Sequence, residues 1–190
     1  TYRRYLPQLP EKEAMKKKVQ VIELKKNKGK GNAARTGCDF ALEKGFEQII
    51  LMDADRQHHA KDIEKISQRL KTNDMVYTYR VGKGKQPLRF QLGNWGLNLI
   101  SKVLFLVNVK DTQSGFRGLS KKAYKQVRWK ANDYFMESEM IGRSKGLKKA
   151  QVPIEKIYHD GEKGTTVKVG LNIGWKSLLL KIRQLTGQER

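Results

Sequence analysis

The sequence predicts an α/β domain on a mostly parallel, doubly wound sheet, and three observations carry that prediction. Short apolar runs alternate with stretches of helical spacing. One run, QIILM (48–52), is almost continuously apolar, as a strand covered on both faces must be. It ends in Asp53 and Asp55, and in such sheets ligands bind just beyond the carboxyl ends of the strands.

The elements follow in order. VQVIEL (19–24) reads as a first strand, and GNAARTGCDFALEKG (31–45) as the helix after it. QIILM is the second strand. In AKDIEKISQRLK (60–71) the spacing of Ile63, Ile66 and Leu70 predicts a helix, after which DMVYTYR (74–80) returns as a strand. The stretch from Leu88 to Val109, with Trp95, Leu97, Leu99, Leu104 and Phe105, is longer than a small core helix requires. Core packing is its default reading; a partly exposed face bordered by Arg89 and Lys102 also suits a membrane surface. The C-terminal GWKSLLLKIRQLTGQER is a second amphipathic candidate, with Lys176, Lys181 and Arg183 near lipid headgroups.

Composition sets the class. At 190 residues, 38% apolar with 17 Gly and 4 Pro, the chain suits one domain with a real core and not a disordered segment. The single Cys38 excludes an intramolecular disulfide and fits a reducing compartment. No signal peptide is visible, and the nearest candidate for a membrane span, GLNLISKVLFLV, is short and broken by Lys102, so the chain is expected to be soluble or peripheral. A net charge of +21 attracts phosphates in nucleic acid, lipid headgroups or small substrates, and does not choose among them. Lysine clusters at 16–18 and 148–149 read as solvated surface.

Two segments carry chemistry. In NKGKGNAARTG (27–37), Gly29, Gly31 and Ala34 satisfy G-x-G-x-x-A, with Asp53 at about the roughly 20-residue distance of a dinucleotide fingerprint. The match accounts for one aspartate only, and the alternative is that the glycines permit a tight turn and close helix packing. No Walker A loop is present. DADRQHH (53–59) is more informative. Carboxylates at i and i+2 and the Gln57 amide at i+4 offer hard oxygen ligands for Mg²⁺ or Mn²⁺, which offset the repulsion between like charges and take further ligands from substrate phosphates. The alternative makes Asp55 a helix cap and His58 and His59 plain loop residues.

ILMDADRQHHAKDI resembles the D-A-D-x-Q-H-x-x-x-D-I segment of inverting glycosyltransferases of the polyprenyl-phosphate, dolichol-phosphate mannose synthase-like group. The N-x-G-K-G-x-A-x-x-x-G segment at 27–37, DTQSGFRGLS (111–120) and YFMESEMIGRSKGLKKAQVPIEKIY (134–158) are similar to further motifs of that group, in the same order. The resemblance implies a GT-A fold, a Mg²⁺ or Mn²⁺ cofactor, a UDP- or GDP-linked sugar donor and a polyprenyl phosphate acceptor. It also implies a peripheral place on the cytoplasmic face of an anionic membrane, and no nucleic acid partner. It assigns Asn27, Gly29, Lys30, Gly31 and Asp53 to the donor, and Asp53, Asp55 and Gln57 to the metal. Arg80, Arg89, Ser114 and Arg117 fall to the acceptor, and Asp55, Arg80, Arg89, Arg117 and Glu139 to catalysis. Arg117 has the alternative of bracing its loop, and Asp111 stands between closing the active-site wall and bonding local backbone. Glu137 and Glu139, at i and i+2 of a predicted helix, point to different faces; their alternative to base catalysis is one carboxylate supporting an arginine and one in solvent.

The group's opening strands, ending in I-P-A-Y-N-E-E and D-D-G-S-T-D types of segment, are not found, and TYRRYLPQLPEKE looks like the helix that follows them. The chain is therefore expected to form an N-terminally incomplete GT-A domain across 1–190. His59 and Ala60 replace the usual prolines. Two readings from other classes remain: a basic module binding RNA or anionic membrane, derived from a degenerate transferase, and a dinucleotide-dependent oxidoreductase for which no substrate site is visible.

Overall fold

The structure, a computed structural model, describes residues 19–81, 88–155 and 167–188, with side chains for 19–81, 93–155 and 168–188. The expected N-terminal helix, the lysines at 16–18 and the Arg89 side chain lie outside the described residues. Four strands, β1 (Gln48–Leu51), β2 (Met75–Val81), β3 (Arg117–Ser120) and β4 (Lys149–Glu155), form one sheet in the order β1-β3-β2-β4. Six helices accompany them among the described residues: α1 (Lys30–Glu43), α2 (Asp62–Leu70), α3 (Leu88–Phe105), α4 (Lys121–Val127), α5 (Met136–Gly142) and α6 (Val167–Leu185).

β2 and β4 pair in parallel, while β3 runs antiparallel between β1 and β2. Three strands thus share a direction, and the reversed β3 lies inside the segment read above only as a motif. Period-two alternation in β2 divides the core. Val76 joins Ile66 and Leu70 of α2, Phe116, Val152 and Ile154 on one face; Met75 and Tyr77 join Cys38, Leu119, Tyr124, Trp129, Met140 and Ile141 on the other. α2 lies close on the sheet because Gly118 has no side chain: a Cβ there would meet Ile66 Cγ2 at 2.6 Å. Ile66 is fully buried, so truncation to Ala is expected to cost about 2–5 kcal/mol.

VQVIEL is not a strand. Residues 19–24 make no ladder and are exposed, Val21 at 71%. β1 is an edge strand of the described sheet, and an apolar run without a neighbour's hydrogen bonds gains nothing from extended pairing.

Gly29 and Gly31 have a packing role. Gly29 sits at φ +99°, and Cβ atoms on the two glycines would lie 2.3 Å from the Asn132 carbonyl oxygen and 2.4 Å from that of Ala131. The Gly31 N–H donates to the Asn132 carbonyl at 2.8 Å, and the Trp129 indole N–H donates to the Gly31 carbonyl at 2.8 Å. This seam holds the start of α1 against the approach to α5.

Candidate active site

The candidate site is assembled where β1 ends, where α1 begins and where α5 begins. Asp53 lies two residues beyond β1, and both its carboxylate oxygens are 2.9 Å from Lys30 Nζ at the first position of α1. The same ammonium lies 2.8 Å from Glu137 Oε1 on α5. Glu137 is 2% exposed, and its Oε2 has no hydrogen-bond partner among the described residues. Burial works against the charge on Lys30, but Glu137 and Asp53 together outweigh it and hold the ammonium above its ordinary pKa. Lys30 is therefore the cation that offsets the charge of Asp53 in this structure.

Gly115 closes the other side of Asp53. A Cβ at this position would lie 2.1 Å from Asp53 Oδ2 and 2.9 Å from Lys30 Nζ, so the backbone itself forms the wall. Asn27 shapes the loop before α1 by accepting from the Gly29 N–H at 2.9 Å.

Asp55 faces solvent on the turn after Asp53. Its Oδ1 accepts from the Gln57 N–H at 3.0 Å, and Arg56 takes the left-handed conformation, φ 64°, that tightens the turn. Among the described residues no three His, Cys, Asp or Glu side chains converge into a metal shell. Two hard carboxylates and an amide on one open turn fit an ion that draws its remaining ligands from water and phosphate, as Mg²⁺ and Mn²⁺ do. They do not fit a closed zinc site. His58, treated above as a plain loop residue, packs against Phe116 with ring centroids 5.0 Å apart. Burial depresses its pKa, Arg80 and Lys30 add to this, and Asp53 and Asp55 oppose it, so the imidazole belongs to the charged cluster. Its place directly after Gln57 was the available signal.

A second cluster stands beside the first. Arg80, at the end of β2, grips Asp111 with two parallel hydrogen bonds, Nε to Oδ2 and Nη2 to Oδ1, the latter at 2.9 Å. Asp111 also accepts from the Gln113 N–H at 3.2 Å, so it serves both the arginine and its own loop. The loop 111–117 joins the clusters, since it carries Asp111 at one end and Gly115 against Asp53.

Three expected site residues are committed elsewhere. Arg117 is 1% exposed; it donates to the carbonyls of Ser114 at 2.8 Å and Glu137 at 2.9 Å, and to that of Thr112, so it braces the loop and the start of α5. Ser114 is buried, with its hydroxyl 2.6 Å from that of Thr78. Glu139 accepts from the backbone N–H of Lys130 at 2.9 Å and of Ala131 at 2.8 Å, and pairs with Arg143 at 2.9 Å. The position beside Lys30 and Asp53 belongs to Glu137, because residues i and i+2 of a helix diverge and only one can face Lys30.

The family described as Glycosyl transferase family 2 matches over residues 5–128. A UDP-N-acetylglucosamine–dolichyl-phosphate N-acetylglucosaminyltransferase of Methanococcus voltae is 35% identical over 177 residues, covering 87% of this chain and 70% of that protein. A human dolichyl-phosphate beta-glucosyltransferase is 26% identical over 192 residues, covering 91% of this chain and 57% of that one. Among solved structures, glucosyl-3-phosphoglycerate synthase from Mycobacterium tuberculosis in complex with Mn²⁺, UDP-glucose and phosphoglyceric acid superposes with a TM-score of 0.60 at 15% identity, covering 93% of this chain and 64% of that chain. This likeness establishes the GT-A fold, of which the chain spans a part.

Proposed function

Because the chain belongs to glycosyl transferase family 2, we propose that it transfers a sugar from a nucleotide diphosphate sugar to a polyprenyl phosphate, with inversion. The observation that carries this reading is the adjacency of two clusters on one loop. Asp53, Lys30 and Glu137 make a carboxylate-rich donor side, and the Asp111-oriented Arg80 offers a guanidinium to an anionic acceptor.

Asp53, Asp55 and Gln57 are the residues to hold Mg²⁺ or Mn²⁺. Bound there, such an ion supplies Lewis-acid charge to the donor diphosphate. Lys30 fixes the Asp53 carboxylate from one side and the Gly115 backbone confines it from the other, so the donor side is set before substrate arrives. Asn27, Gly29 and Gly31 shape the loop that faces the donor. On the acceptor side Asp111 orients Arg80, and Arg89 at the start of α3 is the second cation for the lipid phosphate. A phosphate with a second pKa of about 6 is already largely ionised near neutrality and needs no general base. The transfer is then a single displacement. An acceptor phosphate oxygen forms a bond to the anomeric carbon as the bond to the donor diphosphate breaks on the opposite face, and the nucleoside diphosphate leaves with the electron pair. Glu139, occupied with backbone and Arg143, takes no proton in this scheme. Arg117 and Ser114 support the loop from behind. The acceptor lipid places the protein peripherally at the cytoplasmic face of a membrane; no helix among the described residues is long and apolar enough to cross one.

The test offers radiolabelled UDP-glucose, UDP-N-acetylglucosamine and GDP-mannose in turn to the protein with polyprenyl phosphate in detergent and Mn²⁺. Labelled lipid is expected from one donor, with loss of product for Asp55→Asn and Arg80→Ala and in excess EDTA. No labelled lipid from any donor, together with salt-sensitive retention of RNA, would instead favour the non-catalytic basic module.

A further inference from the structure

Among the described residues, nine large apolar side chains of α3, α6 and the residue after α3 stand in solvent, in two regular stripes. On α3 they include Trp95 (65% exposed), Leu99 and Val103, at i, i+4 and i+8. On α6 they include Leu171 (72%), Trp175 (61%) and Ile182, at i, i+4 and i+11. Each stripe lies away from the buried side of its own helix, which is Leu97, Ser101 and Phe105 on α3 and Ile173, Ser177 and Leu180 on α6. The two helices pack together, with Gly174 so close to Ile100 that a Cβ would meet its Cδ1 at 3.2 Å. Isolated exposed apolar residues are ordinary, but two packed helices each presenting a stripe with an outward tryptophan form a surface that calls for a partner.

Charge selects the partner. Neither helix contains an Asp or Glu, whereas Arg89, Lys102, Lys168, Lys176, Lys181 and Arg183 lie within them. Among the described side chains of this set, Lys176 is the one seen in an ion pair, with Asp133 at 2.6 Å. Two copies meeting through this face would oppose like charges. An anionic bilayer takes the apolar stripes into its interface and the cations among its headgroups.

We propose that α3 and α6 form a two-helix platform that rests on an anionic bilayer, and that Asn98 ties the loop positioning Arg80 to this platform. Asn98, on α3 between the two outward residues Trp95 and Leu99, donates from Nδ2 to the Lys110 carbonyl at 2.8 Å. Its Oδ1 accepts from the Thr112 N–H at 3.0 Å and the Thr112 hydroxyl at 2.8 Å. These bonds bracket Asp111, the residue that grips Arg80. A helix seated in the membrane interface thereby carries the acceptor guanidinium at a fixed offset from the lipid surface. The platform rests on its own surface features; only the role of Asn98 depends on the proposed transfer reaction.

The three tryptophans make the test direct, because Trp129 is fully buried while Trp95 and Trp175 are outward. The 190-residue chain is mixed with phosphatidylcholine vesicles, with and without phosphatidylglycerol, that carry brominated acyl chains. Expected are flotation with the anionic vesicles, release by high salt, and quenching that disappears in the Trp95→Phe/Trp175→Phe double variant, in which only Trp129 reports. Leu99→Ser/Ile182→Ser, both at exposed positions, should weaken partitioning by about tenfold or more while the far-UV spectrum is unchanged. Asn98→Ala should still float, yet raise the KM for vesicle-borne acceptor without changing the Kd for nucleotide. No flotation, equal binding to neutral vesicles, or a concentration-dependent dimer that shields Trp95 and Trp175 would overturn the platform. Transfer in detergent without vesicle binding sinks the platform and spares the reaction, while vesicle binding without transfer does the reverse.

Discussion

Removing the Lys30 ammonium should leave Glu137 as a buried carboxylate without its counter-charge. In Lys30→Met the aliphatic stem is kept and only the charge is lost, so packing around α1 changes little. Deleting one partner of a buried ion pair costs about 3–5 kcal/mol. Lys30 and Asp53 retain water, at 22% and 29% side-chain exposure, while Glu137 is closed off at 2%, so the Glu137 side dominates the cost. That argues for the lower end, about 3 kcal/mol, which at a urea m-value of roughly 2 kcal/mol/M lowers the midpoint by about 1.5 M. Glu137→Gln alone keeps the shape and leaves Lys30 with Asp53, and should cost about 1 kcal/mol. The double variant carries no uncompensated carboxylate at position 137, so it should cost about 2 kcal/mol where additivity gives about 4, a coupling energy of about 2 kcal/mol in the cycle. Urea unfolding of the four proteins by circular dichroism supplies every term. A Lys30→Met variant within about 0.5 kcal/mol of the parent, or a coupling near zero, would refute the idea that this lysine neutralises the cluster.

Three further outcomes follow from the same geometry. Gly115→Ala drives a methyl into Asp53 Oδ2, at 2.1 Å, and should abolish Mn²⁺-dependent nucleotide binding by calorimetry while costing only about 1–3 kcal/mol of stability, because the displaced atom ends a side chain that can rotate. Cys38 is 1% exposed and its thiol is pushed up to about 12 by burial, with Asp39 adding to the shift, so a thiol reagent at mildly alkaline pH should label it only after unfolding. Asp39 is held below the usual carboxylate range chiefly by its hydrogen bonds from Arg128, aided by Tyr124. A depressed folded pKa adds stability above the unfolded value of about 3.9, and that stability is lost as pH falls through the folded value; the gap between parent and Arg128→Ala should therefore be full at neutral pH and close on acidification.

Local rules were enough for much of the frame. The apolar spacing of Ile66 and Leu70 determined α2, and the short β-branched and aromatic run MVYTYR determined β2, since both signals belong to a single segment facing a core. The run ending in Asp53 and Asp55 located the candidate site because ligands gather beyond the carboxyl ends of strands, although β1 itself is a half-exposed edge strand of the described sheet and not the doubly covered strand its apolar run suggests. Tertiary structure decided what depends on partners distant in sequence. VQVIEL has the composition of a strand but no neighbour to pair with, whereas RGLS, short and half polar, becomes β3 because β1 and β2 flank it. The glycines of the KGKG loop match a phosphate fingerprint in sequence, yet what their missing side chains admit is the backbone of residues 131 and 132. Arg117 and Glu139 carry the residue types of a site and are consumed by buried carbonyls and amides, because an interior cannot leave such groups unpaired. Lys30 and Glu137, 107 positions apart, meet only once α1 and α5 are packed on the seam at Asn132. Charge and hydrogen-bond capacity are written in the sequence, but which partner uses them is settled by the packing that brings distant segments within 3 Å of one another.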